Sequence, residues 1–261
     1  MTTTFTQETI SVGGAKLNLL KGGSGEPLLL LHGAGGNPGW IKYVQALADH
    51  YTVYFPSHPG FGASERPEWL HTMPDLACFY TWLLEEQGLE GIRTIGFSMG
   101  GWLAAEMAVA CRHAFSKMML VDAVGIKPEK GEIADIFIIT PAQVTQLLFH
   151  DPQQAPEYQQ LYGRTLTAEE QAVAERNREM AVRLGWKPYM HNPRLPGLLA
   201  RVRAPTCIVW GRQDKLAPAE CGELYHQAIP GSKLVFINNC GHAPQVEKPQ
   251  EFVRVALDFL R

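Results

Sequence analysis

The sequence holds no apolar run near the ~20 residues that cross a bilayer, no block of like charge, no internal repeat and no low-complexity tract. The first absence leaves no candidate for a membrane-spanning helix. The second removes the usual footing for nucleic acid and for a charged disordered arm. Basic and acidic side chains, 23 and 26 of them, are mixed along the chain for a formal net charge of −3. The five cysteines (Cys78, Cys111, Cys207, Cys221, Cys240) are odd in number and far apart. No Cys-x-x-Cys pair occurs, so neither a disulfide framework nor a zinc site is expected. No His-Glu-x-x-His or clustered His/Asp pair points to another metal. The polar N-terminus has no basic start leading into an apolar stretch, which argues against a signal peptide. The expectation is a soluble, cytoplasmic chain with no metal or cofactor and no nucleic-acid or membrane partner.

What is present is ordinary globular material, 46% apolar and 19% charged over 261 residues. That length is enough to bury a core without disulfides. Thr9–Val12 and Lys16–Leu20 read as strands joined by the turn Gly13-Gly14. Pro27–Leu31 and Tyr51–Phe55 are apolar runs expected for strands covered on both faces. Pro74–Gln87 carries Leu76, Phe79, Tyr80, Leu83 and Leu84 in one helical stripe. Ile92–Phe97 is a strand, Met99–His113 an alanine-rich helix, and Phe115–Val121 a further strand. This alternation predicts an α/β fold: a mostly parallel central sheet with helices on both faces.

The alternation stops between about 124 and 203. Thr140-Pro141-Ala142-Gln143 and Thr167-Ala168-Glu169-Glu170 have capping-box spacing and start helices, the second running to Leu184 and stopping at Gly185. No strand is legible there, so the segment is expected to be a helical lid laid over the sheet. Strands resume at Pro205–Trp210 and Lys233–Ile237, and Pro249–Leu260 closes the chain as a helix. The domain reading is a core of 1–123 and 204–261 with a lid of 124–203.

One segment carries chemistry by itself. Gly96-Phe97-Ser98-Met99-Gly100 is Gly-x-Ser-x-Gly between a predicted strand and a predicted helix. So tight a turn needs small residues two before and two after the serine, and it projects the hydroxyl from the sheet's edge. Seven serines against 25 glycines in 261 residues give roughly 0.06 chance matches.

With this elbow on a β–α–β frame, the chain resembles the α/β-hydrolase superfamily over nearly its whole length. The resemblance implies Ser98 as nucleophile, followed in chain order by an acid after a late strand and a histidine after the last. Trp210-Gly211-Arg212-Gln213-Asp214 and Asn239-Cys240-Gly241-His242 stand at those places. A serine hydroxyl needs a base to take its proton, which is the role of His242. A carboxylate on the far ring nitrogen fixes the tautomer, the role of Asp214. Asp122, at the end of the preceding strand, is the rival acid. His32-Gly33-Ala34-Gly35-Gly36 resembles the oxyanion loop, making the amides of Ala34 and Met99 the two donors. A dinucleotide loop there fails on spacing, since Gly33-x-Gly35 would need glycine at Pro38. Pro56 to Ser64 resembles the loop Asp-x-x-Gly-x-Gly-x-Ser, with Ser57 in place of the aspartate and His58 read as a turn cap. A redox role for Cys240, two residues from His242, has little behind it.

Serine at the elbow implies acyl transfer, and a carboxylic ester with a small to medium, fairly hydrophobic acyl or alcohol group is the first expectation for the substrate. The alternative is the carbon–carbon hydrolase branch that cleaves dienoic diketo acids. That branch usually has asparagine before the serine and an aromatic residue after the histidine, where this chain has Phe97 and Ala243. Arg176, Arg178 or Arg183 would be candidates for holding a substrate carboxylate. Cofactor-free haloperoxidases share Gly-Phe-Ser-Met-Gly-Gly, and a non-catalytic receptor on the same fold is a further alternative.

Overall fold

Alternation in the buried strands divides the interior into two cores. In the computed structural model, which describes residues 4–261, Leu29 and Leu31 of the strand Pro27–Leu31 face one core, and Leu28 and Leu30 face the other. That is the two-residue period of a strand whose faces are both covered. The strand is β3 of an eight-stranded sheet. The others are β1 (Phe5–Val12), β2 (Ala15–Gly23), β4 (Thr52–Pro56), β5 (Ile92–Phe97), β6 (Phe115–Val121), β7 (Thr206–Gly211) and β8 (Lys233–Ile237). Their order is β1-β2-β4-β3-β5-β6-β7-β8. Pairing is antiparallel from β1 to β2 and from β2 to β4, and parallel from there on. The first hairpin turns at Gly13 and Gly14, whose φ of 53° and 83° suit a tight turn of the type that matches strand twist.

Helices α1 (Lys42–Ala48) and α10 (Pro249–Leu260) cover one face. Helices α2 (Met73–Glu86), α3 (Met99–Ala110) and α8 (Ala219–Ala228) cover the other. Between β6 and β7 the described structure is helices and loops, with no strand beyond an isolated bridge from Gly125 to His191. It comprises α4 (Pro141–Leu148), the 3₁₀ turn Pro152–Gln154, α5 (Tyr158–Leu161), α6 (Ala168–Gly185), α7 (Leu195–Leu198) and the 3₁₀ turn Leu199–Arg201. Thr140 and Thr167 form the expected capping boxes with Gln143 and Glu170. A short α9 (Pro244–Glu247) precedes α10. Among the described residues, no helix is long and apolar enough to cross a membrane.

Buried polar side chains tie the segment between β6 and β7 to the sheet's loops. Asn177 of α6 donates from Nδ2 to the Gly35 carbonyl at 3.0 Å and accepts from the Gly62 amide at 2.8 Å. Glu247 accepts from the amides of His150, Asp151 and Gly241. Three backbone donors on one buried carboxylate offset the cost of taking its charge out of water.

Candidate active site

Ser98 sits between β5 and α3 at φ 52° and ψ −115°, a conformation that costs a side-chain-bearing residue. The strand and helix cross so closely that a Cβ on Gly96 would collide with the Gly100 carbonyl, and one on Gly100 with the Leu31 carbonyl. This is the physical content of the two glycines. The strained turn lifts the serine out of the sheet at the N-terminus of α3, where unpaired amides and the helix dipole favour negative charge.

The loops after β7 and β8 converge on it. The Gly211 position abuts the Gly241 carbonyl with no room for a side chain. Gln213 bridges the two loops through its amide to the Cys240 carbonyl and its Oε1 to the Cys240 amide. His242 Nε2 then lies 2.9 Å from Ser98 Oγ, and Nδ1 lies 2.7 Å from Asp214 Oδ2. Asp214 Oδ1 accepts from the amides of Leu216 and Ala217 at 2.7 and 3.0 Å, which fixes the carboxylate's angle. With Nδ1–H donating to Asp214, the lone pair of Nε2 points at the serine hydroxyl. Ser98, Asp214 and His242 are thus brought together in one hydrogen-bonded chain.

Asp122 stands beside it. One oxygen each of Asp122 and Asp214 and a ring nitrogen of His242 lie within 4.8 Å of one another. The ring bonds Asp214 and not Asp122. Asp122 Oδ1 accepts instead from the Gly211 amide at 2.8 Å. Burial, reinforced by the Asp214 charge, holds the Asp122 carboxyl well above the usual carboxylate range. This trio does not suit a metal, because both ring nitrogens of His242 are engaged by Ser98 and Asp214.

The loop after β3 lies against the serine, since a Cβ added at Gly33 would stand 3.2 Å from Ser98 Cβ, and the Ala34 backbone follows it. His32 and His58 brace this loop from behind. The His58 amide donates to His32 Nε2 at 2.9 Å, and the His58 ring bonds the His32 carbonyl and the Tyr80 hydroxyl at 2.9 and 2.5 Å. Burial lowers His32 to about 4 and His58 well below its ordinary value, so both rings are neutral at pH 7. His58 is therefore a buried brace and not the turn cap expected of it. Its partners lie 26 and 22 residues away, beyond what local turn chemistry shows. Cys240 is buried and burial pushes its thiol far up, leaving it unreactive.

A cavity of about 180 Å³ opens over Ser98 and His242. Its far wall comes from the helical segment: Ile136, Val144, Leu148, Tyr162, Tyr189 and Met190. Phe97 and Ala243 also line it. No Lys, Arg, Asp or Glu is among the described residues of its wall. The three arginines with a candidate carboxylate role are elsewhere. Arg178 donates to the Phe137 and Ile139 carbonyls, Arg183 meets His71 and Glu179, and Arg176 is exposed.

The family model described as alpha/beta hydrolase fold matches residues 26–249. The chain belongs to that family. Within the alpha/beta hydrolases it is 27% identical to a 2-hydroxy-6-oxo-2,4-heptadienoate hydrolase of Pseudomonas putida, over 96% of this chain and 95% of the relative. It is 29% identical to a 2-hydroxy-6-oxo-6-phenylhexa-2,4-dienoate hydrolase of Comamonas testosteroni, over 92% and 89%. The structure of a hydrolase named for the same phenyl substrate, from Rhodococcus sp. strain RHA1, superposes with a TM-score of 0.80 at 22% identity and covers the whole of both chains. At that identity the last likeness speaks for the fold alone. The relatives' names agree better with the carbon–carbon alternative than with the ester expectation. Asn177, Glu247 and the His32–His58–Tyr80 brace were invisible in the sequence, because each acts through partners distant along the chain.

Proposed function

We propose that this alpha/beta hydrolase is a serine hydrolase cleaving an ester of a neutral, apolar acid through an acyl-enzyme on Ser98. The observation behind this reading is the uncharged cavity standing over a serine already hydrogen-bonded to His242. Its size supports an acyl group no larger than about a phenyl ring, since an apolar cavity of about 150 Å³ holds benzene. Helices 141–148 and 168–185 act in this reading as the lid of the 124–203 segment, closing the apolar side.

Ser98 Oγ attacks the ester carbonyl as His242 Nε2 takes the hydroxyl proton. The carbonyl oxygen becomes an oxyanion held by the amides of Ala34 and Met99, which act on charge present only in the transition state. The carbon–oxygen bond breaks, the alcohol leaves with the proton from His242, and the acyl group stays on Ser98. Water then gives a proton to His242 and attacks the acyl carbon, releasing the acid and restoring the serine. Asp214 keeps Nδ1–H in place and steadies the imidazolium at both steps.

A second reading, hydrolysis of a carbon–carbon bond in a dienoic diketo acid, is favoured by the names of the relatives. It uses the same serine and base but brings a substrate carboxylate into the cavity. A buried carboxylate without a cation or a set of donors is costly, and the wall offers no Lys or Arg. The test is a panel of nitrophenyl acetate, butyrate, octanoate and benzoate beside a 2-hydroxy-6-oxo-dienoate. Esters are expected to be cleaved with kcat/KM at least tenfold above that for the dienoate, with octanoate poorest among them. The opposite ratio transfers the assignment to the second reading. Cleavage of neither, with no labelling by a fluorophosphonate, leaves a receptor.

A further inference from the structure

The polar side chains that line the cavity over Ser98 fall into two sets. Tyr189 donates to the Ala134 carbonyl and accepts from the Ile136 amide, and His32, Ser98 and His242 each bond a neighbour. Tyr43, Tyr162 and Gln245 line the cavity too. Among the described residues neither of these two phenol hydroxyls makes a hydrogen bond, and Gln245 Oε1 is buried without a partner. Tyrosine hydroxyls in an interior usually find a partner, and an unmet polar group there is costly. Packing holds both rings in place. Tyr43 meets Phe97 and Phe252 edge-on at 5.3 and 6.0 Å, and Tyr162 meets Phe149 at 5.0 Å. Gln245 belongs to α9, just beyond His242. Burial raises Tyr162 to about 12 and Tyr43 well above its ordinary value, so both keep their protons at neutral pH.

We propose that the acyl group of the ester carries a hydroxyl, selected by Tyr43, Tyr162 and Gln245. The proposal rests on the ester reading of the Ser98 site and narrows the acid within it. A wholly apolar acyl group would strip water from the three side chains and return no hydrogen bond. A hydroxyl returns them. It accepts from a phenol O–H or from the Gln245 amide, and it donates its own proton to an oxygen left free. Gln245 serves either way, since turning its carboxamide over exchanges donor and acceptor. A charged substituent fits worse. Tyr43 lies in the negative field of Glu157, whose two oxygens accept from the Lys42 amide. No Lys or Arg among the described residues of the wall offsets a second anion there. The volume of about 180 Å³ holds a phenyl ring with one small substituent. A hydroxybenzoyl ester has that shape and that chemistry.

The experiment compares nitrophenyl 3- and 4-hydroxybenzoate with the 3- and 4-methylbenzoates, in the native chain and in Tyr43→Phe, Tyr162→Phe and Gln245→Leu. Methyl and hydroxyl are alike in size, so the hydroxyl-to-methyl ratio of kcat/KM reads the hydrogen bonds. Dividing by the same ratio for uncatalysed hydrolysis at the same pH removes intrinsic reactivity. The ratio also cancels any change in folding or in the triad that a variant brings to both esters, and phenylalanine keeps each ring's packing. At least one hydroxybenzoate is expected to exceed its methyl counterpart by about tenfold or more, mainly through KM. At least one variant is expected to lower that ratio threefold or more. A native ratio below tenfold at both ring positions overturns the hydroxyl proposal and leaves the ester reading intact. A ratio that no variant lowers that far overturns the assignment to these three side chains. A native chain that cleaves no ester overturns both the proposal and the ester reading.

Discussion

At the scale of single residues the tightest expectations concern Ser98 and its neighbours. Ser98→Ala is expected to abolish fluorophosphonate labelling and reduce turnover by at least about 10⁴-fold, as loss of a nucleophile does when only binding and oxyanion donors remain. Retained labelling would place the nucleophile elsewhere. Asp214→Asn should reduce kcat by about 10⁴-fold with little change in KM, because the amide donates where the carboxylate accepts and imposes the wrong tautomer. A steady-state comparison with Asp122→Asn checks the order of the two acids, and a larger loss from Asp122→Asn would exchange them. Ser98, Asp214 and His242 were legible because each follows a strand in a tight glycine turn that leaves a short-range signature. Asn177 was not. A mid-helix asparagine on α6 reads as a weak helix former, and only the approach of the Gly35 and Gly62 backbones gives it a purpose.

At the scale of elements, the elbow between β5 and α3 is expected to resist any added atom. Gly100→Ala drives a methyl group into the Leu31 and His32 carbonyls, at a cost of about 3 kcal/mol or more. Urea unfolding against the native chain measures it, and a loss under 1 kcal/mol would contradict the packing. Thr167→Ala removes the cap of α6 and should cost about 1 kcal/mol. Asn177→Ala acts differently: it frees α6 from the loop bearing Ala34. Hydrolysis of a short nitrophenyl ester is expected to fall at least tenfold in kcat, and Asn177→Gln to restore none of it, because the longer amide misses both backbone partners. Wild-type kcat in Asn177→Ala would detach the Ala34 loop from the helix. Helices with side-chain caps, such as α4 and α6, were readable from their Thr-x-x-Gln and Thr-x-x-Glu starts. Helices α1 and α8 went unread, as Ile41 and Pro218 before them offer no side-chain cap. The α3 helix was drawn too long, since Cys111 turns extended at φ −122° and ends it.

At the scale of the whole molecule, the two buried histidines link stability to pH. His32 has a folded value of about 4 and His58 a lower one, each depressed chiefly by burial. Unfolded histidines take up protons below ~6.5. Their neutral forms are therefore compatible with the fold at pH 7, and stability is lost as pH falls from about 6.5 toward 4. Each histidine contributes up to about 1.4 kcal/mol per pH unit in that window. Melting of the native chain and of His58→Gln between pH 7.5 and 4.5 checks this: the variant should show the shallower decline, and equal slopes would remove the buried pair as the cause. The sequence by itself determined the order of the strands and of the longer helices α2, α3, α6 and α10, the tight serine turn, and the chain positions of Ser98, Asp214 and His242. Those depend on residues a few places apart, where period, capping and turn geometry act. The tertiary structure alone decided that Asp122 is held by the Gly211 amide, that the arginines of α6 stay out of the cavity, and that His58 braces a loop. Each depends on distance between segments far apart in the chain, and that distance exists only once both faces of the sheet are packed.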